Sequence, residues 1–261
     1  LRTLPASSPN AIDAGPKKAR FAPYSTLMST TLFCAIGDIH GELERLKGLH
    51  RQVLEYTRQM FPGWPLQFVH LGDLIDRGPA SCGVIDYLME FEAQVSPRPI
   101  TLRGNHEQMM IDAHASLDAE SADWRLWSMN GGEETLASYA DLPVRVLERH
   151  LAWLTALPTL HAADEAALVF VHAGIDPDRF PACGEKVHMW TRRREFMDPR
   201  CWTAPGLLRL RVVHGHTPTR DSLPESAGAG RRLNIDTGAV YGGRLTAALL
   251  QPGEPDLFFH A

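Results

Sequence analysis

The sequence predicts an α/β fold built in layers, and three observations carry that prediction. Apolar runs of strand length recur along the chain, glycine-framed polar strings close several of them, and stretches with apolar residues at helical spacing follow. Strand, glycine turn and helix in repeated order is the unit from which α/β layers are assembled. The first unit is a strand over 32–36, the string Gly37-Asp38-Ile39-His40-Gly41, and a helix over 42–60 with Leu43, Leu46, Leu49, Val53 and Leu54 at helical spacing. The second is a strand over 68–71, the string Gly72-Asp73-Leu74-Ile75-Asp76-Arg77-Gly78, and a helix from about Ser81 to Phe91. The third is a strand over 100–102, Gly104-Asn105-His106-Glu107, and a helix beginning near Glu107.

Residues 112–165 break this rhythm. They hold Trp124, Trp127 and Trp153, a turn at Gly131-Gly132 and mainly helical patterning, which predicts an inserted helical cap. Strand patterns return over 167–171, 209–213, 232–235 and 245–250, with 256–260 closing the sheet. His172-Ala173-Gly174, His214-Gly215-His216-Thr217 and Asp236-Thr237-Gly238 follow three of these strands. Polar residues thus gather at strand ends, where open α/β sheets bind ligands.

The 261 residues are 44% hydrophobic and 22% charged, the composition of a globular domain with a sizeable core. A net charge of −5 gives no electrostatic ground for nucleic acid or an acidic membrane as the main partner. The run Arg192-Arg193-Arg194 reads by itself as a solvated patch. Four cysteines without a CxxC pair suggest a reducing, cytoplasmic setting, and no apolar run reaches the roughly 18 residues of a membrane span. Residues 1–29, with Pro5, Pro9, Pro16 and Pro23 and no sustained periodicity, read as a disordered leader or remnant. Residues 30–261 read as one catalytic domain.

Carboxylate, imidazole and amide oxygen together suit two divalent metals; manganese, iron and zinc all accept such donors, and manganese is the working expectation. Asp38 and His40 can turn toward one ion, Asp73 can bridge two through its two oxygens, and Asn105, His172 and His216 can complete the second site. Such a pair would acidify a water and so supply a nucleophile without a protein serine or cysteine. Arg77 can clamp phosphate oxygens, and His106 is placed to protonate a leaving alkoxide with Asp76 as its orienting carboxylate. Any one string has an ordinary structural explanation, such as a helix cap beside a surface histidine; the ordered set of five does not. His50, His70, His114, His150, His161, His188 and His260 lack such a context and read as surface or satisfied core residues.

The three strings GDxHG, GDxxDRG and GNHE, in that order, resemble the phosphoprotein phosphatase family of metallophosphatases. The resemblance spans about 32–250. Residues 127–139 (WSMNGGEETLASY), 213–218 (VHGHTP) and 234–243 (NIDTGAVYGG) are similar to its bacterial and phage lambda branch. The family implies a sandwich of two β-sheets flanked by helices. It implies Asp38, His40 and Asp73 on a first metal, and Asp73, Asn105, His172 and His216 on a second. It also implies phosphate contacts from Arg77 and Asn105, and Asp76–His106 as the acid pair. Two histidines, His214 and His216, flank one glycine; by this resemblance the ligand is His216, which precedes Thr217-Pro218. Trp190-Thr191-Arg192 matches a tryptophan-led phosphate arginine of the branch, although Val187-His188-Met189 departs from its usual acidic lead. Tyr241 is a further candidate for lining the site.

The leading expectation is a protein serine/threonine phosphatase acting on phosphorylated protein or peptide, with any regulatory subunit unspecified. The rivals are a symmetrical dinucleoside-tetraphosphate hydrolase, which attacks a phosphoanhydride, and a non-catalytic phosphoprotein-binding scaffold. The completeness of the ligand and acid set weighs against the scaffold.

Overall fold

The computed structural model describes residues 31–261 apart from 117, 119 and 252. The leader predicted over 1–29 lies outside the described residues. Strands β1 (Leu32–Ile36), β2 (Leu66–His70) and β3 (Ile100–Thr101) alternate with helices α1 (Leu43–Met60), α2 (Ser81–Gln94) and α3 (Asn105–Ala115), as the three repeated units predict. Helices α4 (Ala122–Trp127), α5 (Glu133–Ser138) and α6 (Val144–Ala156) follow, then β4 (Leu160–Ala163) and β5 (Leu168–Val171). Short helices α7 (Glu185–Trp190) and α8 (Arg194–Met197) precede β6 (Arg211–His214), β7 (Glu225–Ala227), β8 (Arg232–Asn234), β9 (Thr246–Leu250) and β10 (Leu257–His260).

Two five-stranded mixed sheets result, ordered β10-β9-β1-β2-β3 and β4-β5-β6-β8-β7. In the first, β1, β2 and β3 run parallel while β9 and β10 are antiparallel. In the second, β5, β6 and β8 run parallel and the edges β4 and β7 are antiparallel. Strand periodicity explains how each sheet serves two layers. Phe33 and Ala35 of β1 pack with Val69, Leu71, Phe170, Val213 and Leu233 between the sheets. The alternate residues Leu32, Cys34 and Ile36 pack outward with Leu46, Leu49, Val84 and Leu88 of α1 and α2. Phe33 and Phe170 stack across the seam at 5.7 Å.

Two strands are unannounced in the sequence. The segment predicted as a helical cap over 112–165 ends in strand: β4 pairs antiparallel with β5, and its short Leu-His-Ala-Ala sequence has no alternation to announce it. The edge strand β7 carries no apolar signal either, because Glu225 and Ser226 are exposed. Residues 257–260 form β10, the edge strand that completes the first sheet beside β9, as the sequence reading expects. Among the described residues no helix is long and apolar enough to cross a membrane.

Candidate active site

The carboxyl ends of β1, β2, β3, β5 and β6 open toward one another, so the loops that follow them converge. That convergence demands unusual backbone. Of eight non-glycine residues with positive φ among those described, five are His40, Asp73, Asp76, Arg77 and His216. Left-handed backbone at non-glycine residues stores strain that surrounding contacts must hold, and it clusters at functional sites. Glu107 supplies one such hold. Its fully buried carboxylate accepts from the amides of Gly104 (2.7 Å), Asp73 (2.9 Å) and Leu74 (2.7 Å), tying the second and third loops together. Gly104 passes so close to Asp73 that any Cβ there would collide with the carboxylate.

Asp73 is the hub. Its Oδ1 lies 3.2 Å from His172 Nε2, and its Oδ2 lies 3.6 Å from His40 Nε2 and 3.9 Å from His106 Nε2. The two oxygens therefore face two groups of potential ligands, His40–Asp73–His106 and Asp73–His172–His216, all buried. His172 Nε2 is also 3.1 Å from both Asn105 Oδ1 and His216 Nδ1. Each imidazole is oriented from behind: His172 Nδ1 donates to the Leu71 carbonyl (3.0 Å) and His40 Nδ1 to that of Ile75 (2.7 Å). Those bonds turn the Nε2 side of each ring toward Asp73, the support expected of metal-ligating histidines. Lone pairs converging in a buried space fit divalent cations, and the sequence-derived ligands His40, Asp73, Asn105, His172 and His216 come together here.

Asp38 sits differently. Its two oxygens accept from the His216 amide at 3.1 Å, and it lies outside both groups. Burial and the neighbouring Asp236 raise its pKa. His214 is turned away, contacting Arg232 (2.9 Å) and the Gly215 carbonyl (3.0 Å), which leaves His216 as the residue of that pair at the site.

Electrostatics follow the same plan. Burial works against the Asp73 charge, yet His172, His106 and His40 hold its carboxyl well below the usual range. Burial lowers the His172 pKa while Asp73 raises it, with a net rise to about 9. His40 and His216 are pushed down by burial to about 3 and about 2. In such an environment a metal can take the lone pairs that protons do not hold.

His106 Nδ1 donates to Asp76 Oδ2 at 2.7 Å, joining the sequence-predicted pair. Burial lowers the imidazole to about 4 and raises Asp76 to about 7, so the pair resists charge separation. A cavity of about 150 Å³ is lined by Asp73, Arg77, Asn105, His106, Asn130, Trp190, Arg192 and His216. Arg192 is therefore the arginine of its run that reaches the site; Arg193 pairs with Asp176 at 2.9 Å. Arg77 Nη1 lies 2.6 Å from His40 Nε2 and its guanidinium sits 5.5 Å from the Tyr241 ring centroid. Tyr241 is 62% exposed, over the clamp rather than within the cavity. Sequence reasoning overlooked Glu107, Asn130, Trp127 and Thr135; Glu107 stood in plain view inside the third string.

A family model for calcineurin-like phosphoesterases matches residues 31–261. The chain belongs to that family. It is 30% identical over 235 residues to serine/threonine-protein phosphatase 1 of Salmonella typhimurium, covering 83% of this chain and 90% of that protein. It is 29% identical over 232 residues to the asymmetrical bis(5'-nucleosyl)-tetraphosphatase PrpE of Bacillus thuringiensis, covering 81% and 87%. The fold matches a protein serine/threonine phosphatase from Saccharomyces cerevisiae with similarity to human PP5 (TM-score 0.58, 16% identity, 89% of this chain and 81% of the other). It also matches a cold-active protein-tyrosine phosphatase of a psychrophilic Shewanella (TM-score 0.57, 16% identity, 89% and 82%). The chain is thus a metallophosphoesterase with a paired His/Asp metal site.

Proposed function

We propose that this metallophosphoesterase hydrolyses phosphomonoesters on serine and threonine side chains of proteins or peptides. The observation that carries the reading is the size and lining of the cavity. About 150 Å³ is well below the roughly 300–1,000 Å³ of sites that enclose a whole small ligand. It suits a phosphoryl group whose ester-bearing remainder stays outside, as a phosphorylated side chain on a polypeptide does. Similarity to the Salmonella phosphatase supports the same reading.

Asp38, His40 and Asp73 would hold one divalent ion, and Asp73, Asn105, His172 and His216 a second. Such ions supply charge neutralisation and an acidified water when bound. Manganese is the proposed metal; iron and zinc suit the same nitrogen and oxygen donors. Arg77 and Arg192 donate to phosphoryl oxygens from two sides of the cavity, and the Asn105 amide contributes a third contact. The dianion they collect favours a proton on His106, offsetting the burial that otherwise lowers it. His106 then protonates the departing alkoxide from Nε2 while Asp76 holds Nδ1. Net charge gives no support to a nucleic-acid partner, and the four free cysteines fit a reducing cytoplasm.

The second reading is a dinucleoside-tetraphosphate hydrolase, supported by similarity to PrpE, whose name specifies asymmetrical cleavage. Turnover of a phosphoserine peptide and of diadenosine tetraphosphate, measured side by side with added Mn²⁺, separates the two. Faster cleavage of the peptide is expected; faster cleavage of the dinucleotide sinks the first reading.

A further inference from the structure

The helical segment between α3 and β4 reaches into the acid pair. Asp76 and Arg77 both have left-handed backbone, with φ of 73° and 69°. The Asp76 amide donates to Thr135 Oγ1 (2.9 Å) and Ser81 Oγ (3.0 Å), and the Arg77 amide donates to the Gly131 carbonyl (3.0 Å). The Thr135 hydroxyl then donates to Asp76 Oδ1 at 2.7 Å. Trp127 Nε1 donates to the same carboxylate, 3.0 Å from Oδ1 and 3.1 Å from Oδ2. Trp127, Thr135 and Asp76 are all fully buried.

The turn that brings these donors together is built for close approach. Gly131 has φ of 100°, and a Cβ there would lie 2.6 Å from Arg77 Cγ. A Cβ on Gly132 would lie 2.7 Å from the Trp127 indole. With Oδ1 occupied by Thr135 and the carboxylate plane set by Trp127, Oδ2 is left to accept from His106 Nδ1. The ring's other nitrogen consequently points into the phosphate cavity.

We propose that Trp127 and Thr135 are positioning residues for leaving-group protonation, acting through Asp76 on His106. This rests on the acid role assigned to His106 above. The segment is thereby part of the catalytic apparatus as well as a cover for the sheet, and it biases the enzyme toward esters whose leaving oxygen needs a proton. A serine alkoxide needs one; a dinitrophenolate does not.

The test is a leaving-group comparison on the metal-loaded full chain. Thr135→Val removes the hydroxyl at nearly constant volume. Its kcat on a phosphoserine peptide is expected to fall roughly ten- to hundredfold, with a loss no more than about threefold on 2,4-dinitrophenyl phosphate. Thr135→Ser is expected to restore the peptide rate, and Trp127→Phe to repeat the selective loss. Equal losses on both substrates, or no loss on either, overturn the proposal. Melting curves identify any variant that does not fold, in which case the other two carry the comparison. His106→Asn runs in parallel. If it shows the selective loss and the Thr135 and Trp127 variants do not, this inference alone fails. If His106→Asn is itself indifferent to the leaving group, the acid assignment fails and takes the inference with it.

Discussion

Among the described residues, the buried histidines behind the first sheet and those at the strand ends differ in what their nitrogens face. Behind the first sheet, His50 Nδ1 meets the Tyr87 hydroxyl at 2.9 Å and its Nε2 meets His70 Nε2 at 3.0 Å. His70 Nδ1 lies 3.2 Å from Thr101 Oγ1, which donates to Glu92 at 3.1 Å. Every nitrogen there has a partner that can share a proton, and His50 stacks on Phe91 at 4.1 Å. At the strand ends, by contrast, His172 Nε2 faces Asp73, Asn105 and His216, whose facing atoms are all able to accept. Burial is common to both groups. Of these two groups, the one at the strand ends gathers acceptors around one point, an arrangement that suits a cation.

The sharpest way to break this comparison is to remove the shared carboxylate. Asp73→Asn keeps size but replaces one acceptor oxygen with an NH2 donor and removes the bridging charge, so turnover is expected to fall by roughly 10³ or more. Bound Mn²⁺ in the equilibrated protein should drop below two equivalents. The matched change in the other group, Thr101→Val, should leave both metal content and turnover intact. Retention of two ions by Asp73→Asn would refute the assignment of Asp73 as hub.

A smaller effect is expected from the cavity wall. Arg192→Ala removes one phosphate donor and leaves Arg77, so KM for the phosphopeptide should rise by about tenfold with kcat changed much less. An unchanged KM would return Arg192 to the solvated patch that its run of three arginines first suggests.

The smallest effect separates the two groups by pH. Burial holds His70 down at about 3 and His50 well below its ordinary value. In the unfolded chain both accept protons near pH 6.5. Between about pH 6.5 and 3 the unfolded state therefore binds more protons, and stability falls as pH falls through that window. His70→Leu should make that fall shallower by about 1.4 kcal/mol per pH unit, read from urea midpoints between pH 6 and 5. A wild-type slope in the variant would show that His70 is already charged in the folded state.

The same contrast explains what could be read from the chain alone. His40, Asp73, Asn105, His172 and His216, which the structure brings together, were legible because each follows an apolar run inside a short polar or glycine-framed string; Asp38 follows one too but sits outside both ligand groups. His50 and His70 read as surface or satisfied core residues, and the structure buries both within helix and strand with hydrogen-bond partners. Trp127 and Thr135 were not legible as partners of Asp76, because 51 and 59 residues separate them and only packing of the helical segment brings them together. The edge strands β4 and β7 were missed for a related reason: their pairing is decided by a neighbour and not by their own patterning.

The seam between the sheets has a mechanical meaning. Asp38, His40, Asp73 and Asn105 come from the first sheet, and His172 and His216 from the second. A cation held by both sides, as proposed above, would be a rivet through the sandwich, and whatever tightens the rivet would also resist unfolding. Under linkage, ion at 100 times its dissociation constant adds about 2.7 kcal/mol to the folded state. Metal supply would then govern how long each molecule survives as well as how fast it works, and starvation for the ion would thin the population of the protein along with its activity.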